Sequence, residues 1–177
     1  MGVAAASAAG MQAVMIYLAV YLVMNLGAFV VVMLVASTTG SESILDYRGL
    51  SRRQPLAAVA FVVFLLSLTG LPPFAGFIGK WFLFTAVWAR TSDPGGGWYA
   101  VLLVIAALNT AVSLYYYARI IRAMFLDAPN VDDPSPLRPA LGYQLIAGGF
   151  AAVGIVVGVL PQPVIAWTQR AMELLGG

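Results

Sequence analysis

Cysteine and histidine are both absent from this 177-residue chain, and lysine occurs once, at Lys80. Without thiolates or imidazoles, the chain holds no iron–sulfur ligation, no histidine-bound haem and no zinc site of the usual kind. A Gly-rich phosphate loop is missing too, since Gly95-Gly96-Gly97 has no strand before it and reads as a flexible turn. Any redox centre connected with this protein therefore belongs to a partner. Charge is scarce, at 9% of residues against roughly 25% in soluble domains. The net charge of +2 is scattered, which argues against nucleic acid as a partner.

What is present is apolar. Hydrophobic residues make up 62% of the chain and the mean hydropathy is +0.92. The lipid bilayer is the expected solvent, and the expected fold is all-α: a polytopic transmembrane helix bundle in a single domain. Four apolar stretches define the spans, at residues 11–36, 55–89, 98–125 and 141–167. At the start, Met1 to Gly10 is small and uncharged. A signal peptide would need basic residues first and small ones after its apolar core. The order is reversed, so the first span is expected to stay in the mature protein.

The second stretch is too long for one crossing: it would extend roughly 50 Å as a helix, against a hydrocarbon core near 30 Å. Pro72-Pro73 resolves this. Proline removes a backbone donor and clashes with the preceding turn, and the residue before it avoids helical geometry. The spacing predicts two half-helices, 56–69 and 76–89, joined by an irregular link. Pro161 and Pro163 should bend or end the fourth helix, and Gly154 and Gly158 permit close helix contact there. Trp98, Tyr99 and Trp167 sit where aromatic belts are expected.

Lys80 falls one turn into the second half-helix, and its nearest charged neighbour is Arg90. An ammonium at the bilayer centre costs roughly 2.5–3.5 kcal/mol on insertion-derived scales. Reaching the interface would need a side chain of roughly 15 Å, beyond what a lysine stem covers. Lysine can take up and release a proton, which arginine cannot. A helix broken at membrane depth survives only where it is buried in protein or lines a wet cavity. Lysine and break together point to a proton or ion path. The candidates for lining it are Ser67, Thr69, Pro72 and Pro73 at the break, with Asn109 and Ser113 on one helix face. Asn25, Thr85, Thr110, Tyr17 and Tyr21 are further in-span polar groups, each as well suited to interhelical hydrogen bonding. Arg119 and Arg122, after Tyr115-Tyr116-Tyr117, read as an interface anchor, with an acidic partner as the alternative.

Arg48, Arg52, Arg53, Arg119, Arg122 and Arg138 lie in or beside the loops of one side, and Arg90 and Arg170 on the other. The positive-inside rule then makes the first side cytoplasmic and directs both termini outward.

Several blocks together resemble subunit N of the respiratory NADH–quinone oxidoreductase (complex I) family. They are Tyr17-Leu18-Ala19-Val20-Tyr21-Leu22, Asn25-Leu26-Gly27-Ala28-Phe29, Asp46-Tyr47-Arg48-Gly49-Leu50 and Tyr115-Tyr116-Tyr117-Ala118-Arg119. Above all there is Leu65-Leu66-Ser67-Leu68-Thr69-Gly70-Leu71-Pro72-Pro73 running into Gly76-Phe77-Ile78-Gly79-Lys80. The resemblance runs from Tyr17 to Phe125. The break-and-lysine block is shared with the related subunits of multisubunit sodium/proton antiporters.

The resemblance implies that Lys80 belongs to the proton route of a discontinuous helix, and that the chain equals the last four helices of a longer subunit. Either the subunit is split, with a separate N-terminal part, or the chain is a truncated product. It implies a place in the cell (inner) membrane among other complex I membrane subunits, where the loop charges would make both termini periplasmic. Proton translocation would be coupled to electron transfer from NADH to quinone. NADH, FMN, iron–sulfur clusters and quinone would sit in partner subunits, with none bound by this chain. Two other readings stay open: a subunit of a cation/proton antiporter, and an inactive scaffold fragment.

Overall fold

A computed structural model of the chain describes residues 1–2, 4–5, 7–41, 43–128 and 141–176. Among them there is helix and no strand. The first apolar stretch forms α1, Ala8–Thr39, with the Ser7 side chain accepting from the Gly10 N–H at its start. A side-chain acceptor here satisfies one of the orphan donors that every helix N-terminus carries. A 3-10 turn, Ile44–Tyr47, and one helical turn, α2 (Leu50–Arg53), lead into α3, Pro55–Thr69. Helix α4 is Ala75–Trp88 and α5 is Gly97–Phe125.

The two half-helices fall within one residue of the expected positions. Each is about 20 Å long by its rise per residue, too short to cross a bilayer alone. Helix α3 starts on Pro55, whose missing N–H costs nothing in a first turn. It ends at Gly70, which has φ +86°. The left-handed conformation is cheap only for glycine, and it turns the chain out of the helix.

The fourth stretch departs from expectation. Helix α6, Leu141–Val159, stops short of residue 167, and Gln162–Gly176 forms a separate helix, α7. Pro161 and Pro163 account for this: proline has no N–H for the helical ladder, so it suits the first turn of a new helix rather than the middle of an old one. Trp167 therefore lies on α7, where it is exposed, and not at the end of a span.

Helix α1 is the centre of the molecule, packed by α3, α4, α6 and α7. Its Val31, Leu34 and Val35 join Phe61, Phe64 and Leu65 of α3 in the main buried cluster, which Ala147 and Ala151 of α6 complete. By contrast, α5 buries only Ala123 and Met124. The break is clamped from one side by Gly158 of α6, where an added Cβ would lie 2.1 Å from the Pro73 carbonyl oxygen. The connection that bears Arg48 meets the last turns of α5 at one end of the bundle, where the Gly49 N–H donates to the Ala123 carbonyl at 3.1 Å. Arg138, Asp132 and Asp133 lie outside the described residues.

Candidate functional site

The site is built where α3 ends and α4 begins. The last carbonyls of any helix lack intrahelical donors and carry partial negative charge. Here the Lys80 Nζ, from the second turn of α4, donates to the Thr69 carbonyl at 2.7 Å. A cation thus caps the C-terminus of the first half-helix. The same nitrogen donates to Thr110 Oγ1 of α5 at 3.3 Å, and that hydroxyl donates onward to the Ala106 carbonyl at 3.0 Å. Lys80 is half-buried and spends its stem against Gly70 rather than reaching for an interface. A Cβ on Gly70 would come within 2.6 Å of Lys80 Cδ.

Lys80 opens on a cavity of about 340 Å³ between α1, α4 and α5. From α1, Tyr17, Tyr21 and Asn25 line it at four-residue steps, and Tyr17 and Tyr21 stack with ring centroids 5.5 Å apart. From α5 come Ala106, Asn109, Thr110, Ser113 and Tyr117, whose spacings of three and four put them on one face. The volume suits a cluster of waters, each occupying about 30 Å³ in the liquid. Among the described residues, no carboxylate lines it.

Asn109 and Ser113 are therefore brought together with Lys80, but Thr110 makes the direct contact. The Ser113 hydroxyl turns back to the Asn109 carbonyl at 2.9 Å. The four candidates at the break do not line this cavity. Ser67 is buried and accepts from the Gly76 N–H at 3.0 Å, while its hydroxyl donates to the Met24 sulfur. It fastens the start of α4 to the end of α3. The Thr69 hydroxyl bonds its own helix, to the carbonyls of Leu65 and Leu66, so only its carbonyl serves the lysine. Pro72 and Pro73, joined by a cis peptide bond, are exposed and set the path of the chain.

Tyr117 is the member of the site least visible in the sequence. The run Tyr115-Tyr116-Tyr117 has the look of an anchor, yet Tyr117 faces inward while Tyr115 and Tyr116 are exposed. The seven-residue step from Thr110 to Tyr117, two helical turns on the same face, is the signal that distinguishes it.

Chemically, an ammonium offers three N–H donors, and two acceptors are in place. A neutral amine has two N–H groups and a lone pair, so it can keep the same two bonds. Proton exchange with cavity water then needs no rearrangement of these partners. The charge matters to the backbone all the same, because losing it weakens the cap on α3.

Known proteins place the chain in context. The family described as "NADH:quinone oxidoreductase/Mrp antiporter, TM" matches residues 1–110. NADH-quinone oxidoreductase subunit N of Anaeromyxobacter sp. (strain Fw109-5) is 60% identical over 177 residues, which are 100% of this chain and 34% of that protein. Subunit N 2 of Sorangium cellulosum (strain So ce56) is 46% identical over 99% of this chain and 34% of its own length. The chain thus spans about a third of these relatives. A chain of respiratory complex I from Thermus thermophilus with bound aureothin superposes with a TM-score of 0.67 at 32% identity, covering 86% of this chain and 34% of that one. A chain of the Mrp complex from Dietzia sp. DQ12-45-1b has the same fold, with a TM-score of 0.81 at 22% identity over 97% of this chain and 39% of the other.

Proposed function

The chain belongs to the NADH:quinone oxidoreductase/Mrp antiporter transmembrane family, and from that membership we propose that it forms the C-terminal part of a complex I membrane subunit. Its work is a segment of a proton path, coupled to electron transfer from NADH to quinone in the assembled complex. The observation that carries this reading is the Lys80 nitrogen, bonded to the carbonyl end of a broken helix and facing a polar cavity.

In this reading Lys80 is the titrating group. Water in the cavity delivers and removes its proton, and Thr110 and the Thr69 carbonyl fix the nitrogen in either state. Asn109, Ser113 and the tyrosines hold that water. Ser67 fastens the two half-helices to each other, and Pro72 and Pro73 set the path of the chain between them. The counter-charge that moves the proton comes from outside this cavity, where no carboxylate lines the wall among the described residues. Nicotinamide, flavin, iron–sulfur clusters and quinone belong to other subunits. Other membrane subunits are the partners, and both termini face the periplasm.

The test is Lys80→Ala in the assembled complex. The expected outcome is a complex that assembles and oxidises NADH but pumps far fewer protons per electron. A variant that pumps normally would remove Lys80 from the path.

A further inference from the structure

A second polar pocket, about 210 Å³ in volume, lies at the arginine-rich end of the bundle. Arg48 from the α1–α3 connection and Arg119 and Arg122 from the last turns of α5 line it, and Asp127 is the one carboxylate among its lining residues. Asp127 is shared loosely, 3.7 Å from Arg48 Nε and 3.9 Å from Arg122 Nε. Both distances exceed those of a good charge-assisted hydrogen bond, about 2.7–2.9 Å. Arg119 has no acidic partner among the described residues. Among the described residues, positive charge is thus left over in a concave place, and the Gly49–Ala123 backbone bond makes the two walls one unit.

The surroundings indicate which anion fits. Leu108, Val112, Tyr115, Arg119 and Arg122 recur at spacings of three and four, so they share one face of α5. Leu108, Val112 and Tyr115 are 62%, 53% and 64% exposed. Along about 20 Å of helix this face passes from aliphatic to aromatic to cationic. That is the order of hydrocarbon, interface and headgroup across one leaflet. At the pocket itself, Ile44 and Leu45 are exposed beside the arginines.

We propose that this pocket binds the phosphate of an anionic phospholipid, with an acyl chain lying along the Leu108–Tyr115 face. Guanidinium groups match phosphate oxygens in bidentate geometry, and basic pockets between helices at a membrane edge select anionic headgroups. Free phosphate would satisfy the charge but would have no use for the aliphatic track.

The experiment is native mass spectrometry of the assembled complex, exchanged into micelles containing phosphatidylglycerol, phosphatidylcholine, or phosphatidylglycerol with inorganic phosphate. The wild-type complex should retain one more phosphatidylglycerol than the Arg119→Gln/Arg122→Gln variant, with no difference for phosphatidylcholine and no displacement by inorganic phosphate. Asp127→Asn, which removes the competing carboxylate, should hold phosphatidylglycerol at least as well as the wild type, and it keeps the proposal testable if the double variant fails to assemble. Equal retention by wild type and double variant overturns the proposal, as does an Asp127→Asn complex that sheds the lipid. Displacement by phosphate reassigns the pocket to a free anion. Loss of a neighbouring subunit with an unchanged lipid count reassigns it to protein docking.

Discussion

At the scale of single residues, Lys80 is held by two acceptors of different kinds, and they make different predictions. Thr110→Val removes the hydroxyl acceptor while leaving the Thr69 carbonyl in place. A hydrogen bond of this kind contributes about 0.5–1.5 kcal/mol, so pumping rates should fall roughly 2- to 10-fold. Thr110→Ser should recover most of that loss, and stopped-flow proton uptake into vesicles would measure both. Gly70→Ala attacks from the other side. It places a methyl against the lysine stem at a backbone angle, φ +86°, that L residues avoid at a cost of about 1–3 kcal/mol. Proton transfer should be lost with the complex still assembled, read as NADH oxidation without acidification. The lysine itself is legible in the sequence, because a lone charge in apolar surroundings is too costly to persist without a use. Its partners are not. A backbone carbonyl carries no sequence signature, and Thr110 has the same composition signal as the other in-span hydroxyls.

At the scale of elements, the break is a built joint rather than a healed kink. The Ser67 hydroxyl receives the Gly76 N–H, and a Cβ on Gly76 would lie 1.7 Å from the Ser67 carbonyl oxygen. Ser67→Ala leaves that buried N–H without its partner and should destabilise the assembled complex by about 1–3 kcal/mol, seen as a lower thermal dissociation temperature. Gly76→Ala should be worse and prevent assembly, because backbone cannot retreat as a flexible side chain can. The prolines tell where the helix breaks, to within a residue. They do not tell that Ser67 closes the joint, since an inward serine could equally line water. The same chemistry explains the shortened fourth span. Pro161 and Pro163 signal a bend or an end, and α6 does end, at Val159, with α7 starting afresh.

At the scale of the whole molecule, the described helices pack against one side of α1, leaving its Leu18, Leu22, Phe29 and Met33 exposed, and they leave α5 bare along most of its length. The apolar pattern is enough to define an all-helical membrane bundle, because hydrocarbon admits few other ways to pair backbone groups. Which faces meet lipid and which meet other subunits is not legible, since both surfaces are apolar in composition. Orientation is testable directly with single cysteines, because these 177 residues contain none. Ser92→Cys, in the α4–α5 loop, should react with an impermeant maleimide in intact cells, after outer-membrane access is provided. Ser41→Cys, at the arginine-rich end, should react only after the inner membrane is opened. Release of a proton by Lys80 is the central step, and Lys80→Arg isolates it. Arginine keeps a positive charge beside the end of α3 but stays protonated. In vesicles containing the assembled complex, the number of protons moved per electron should fall while NADH oxidation continues. An unchanged ratio in the Lys80→Arg complex would contradict the central claim, because a group that never deprotonates cannot have been passing protons along.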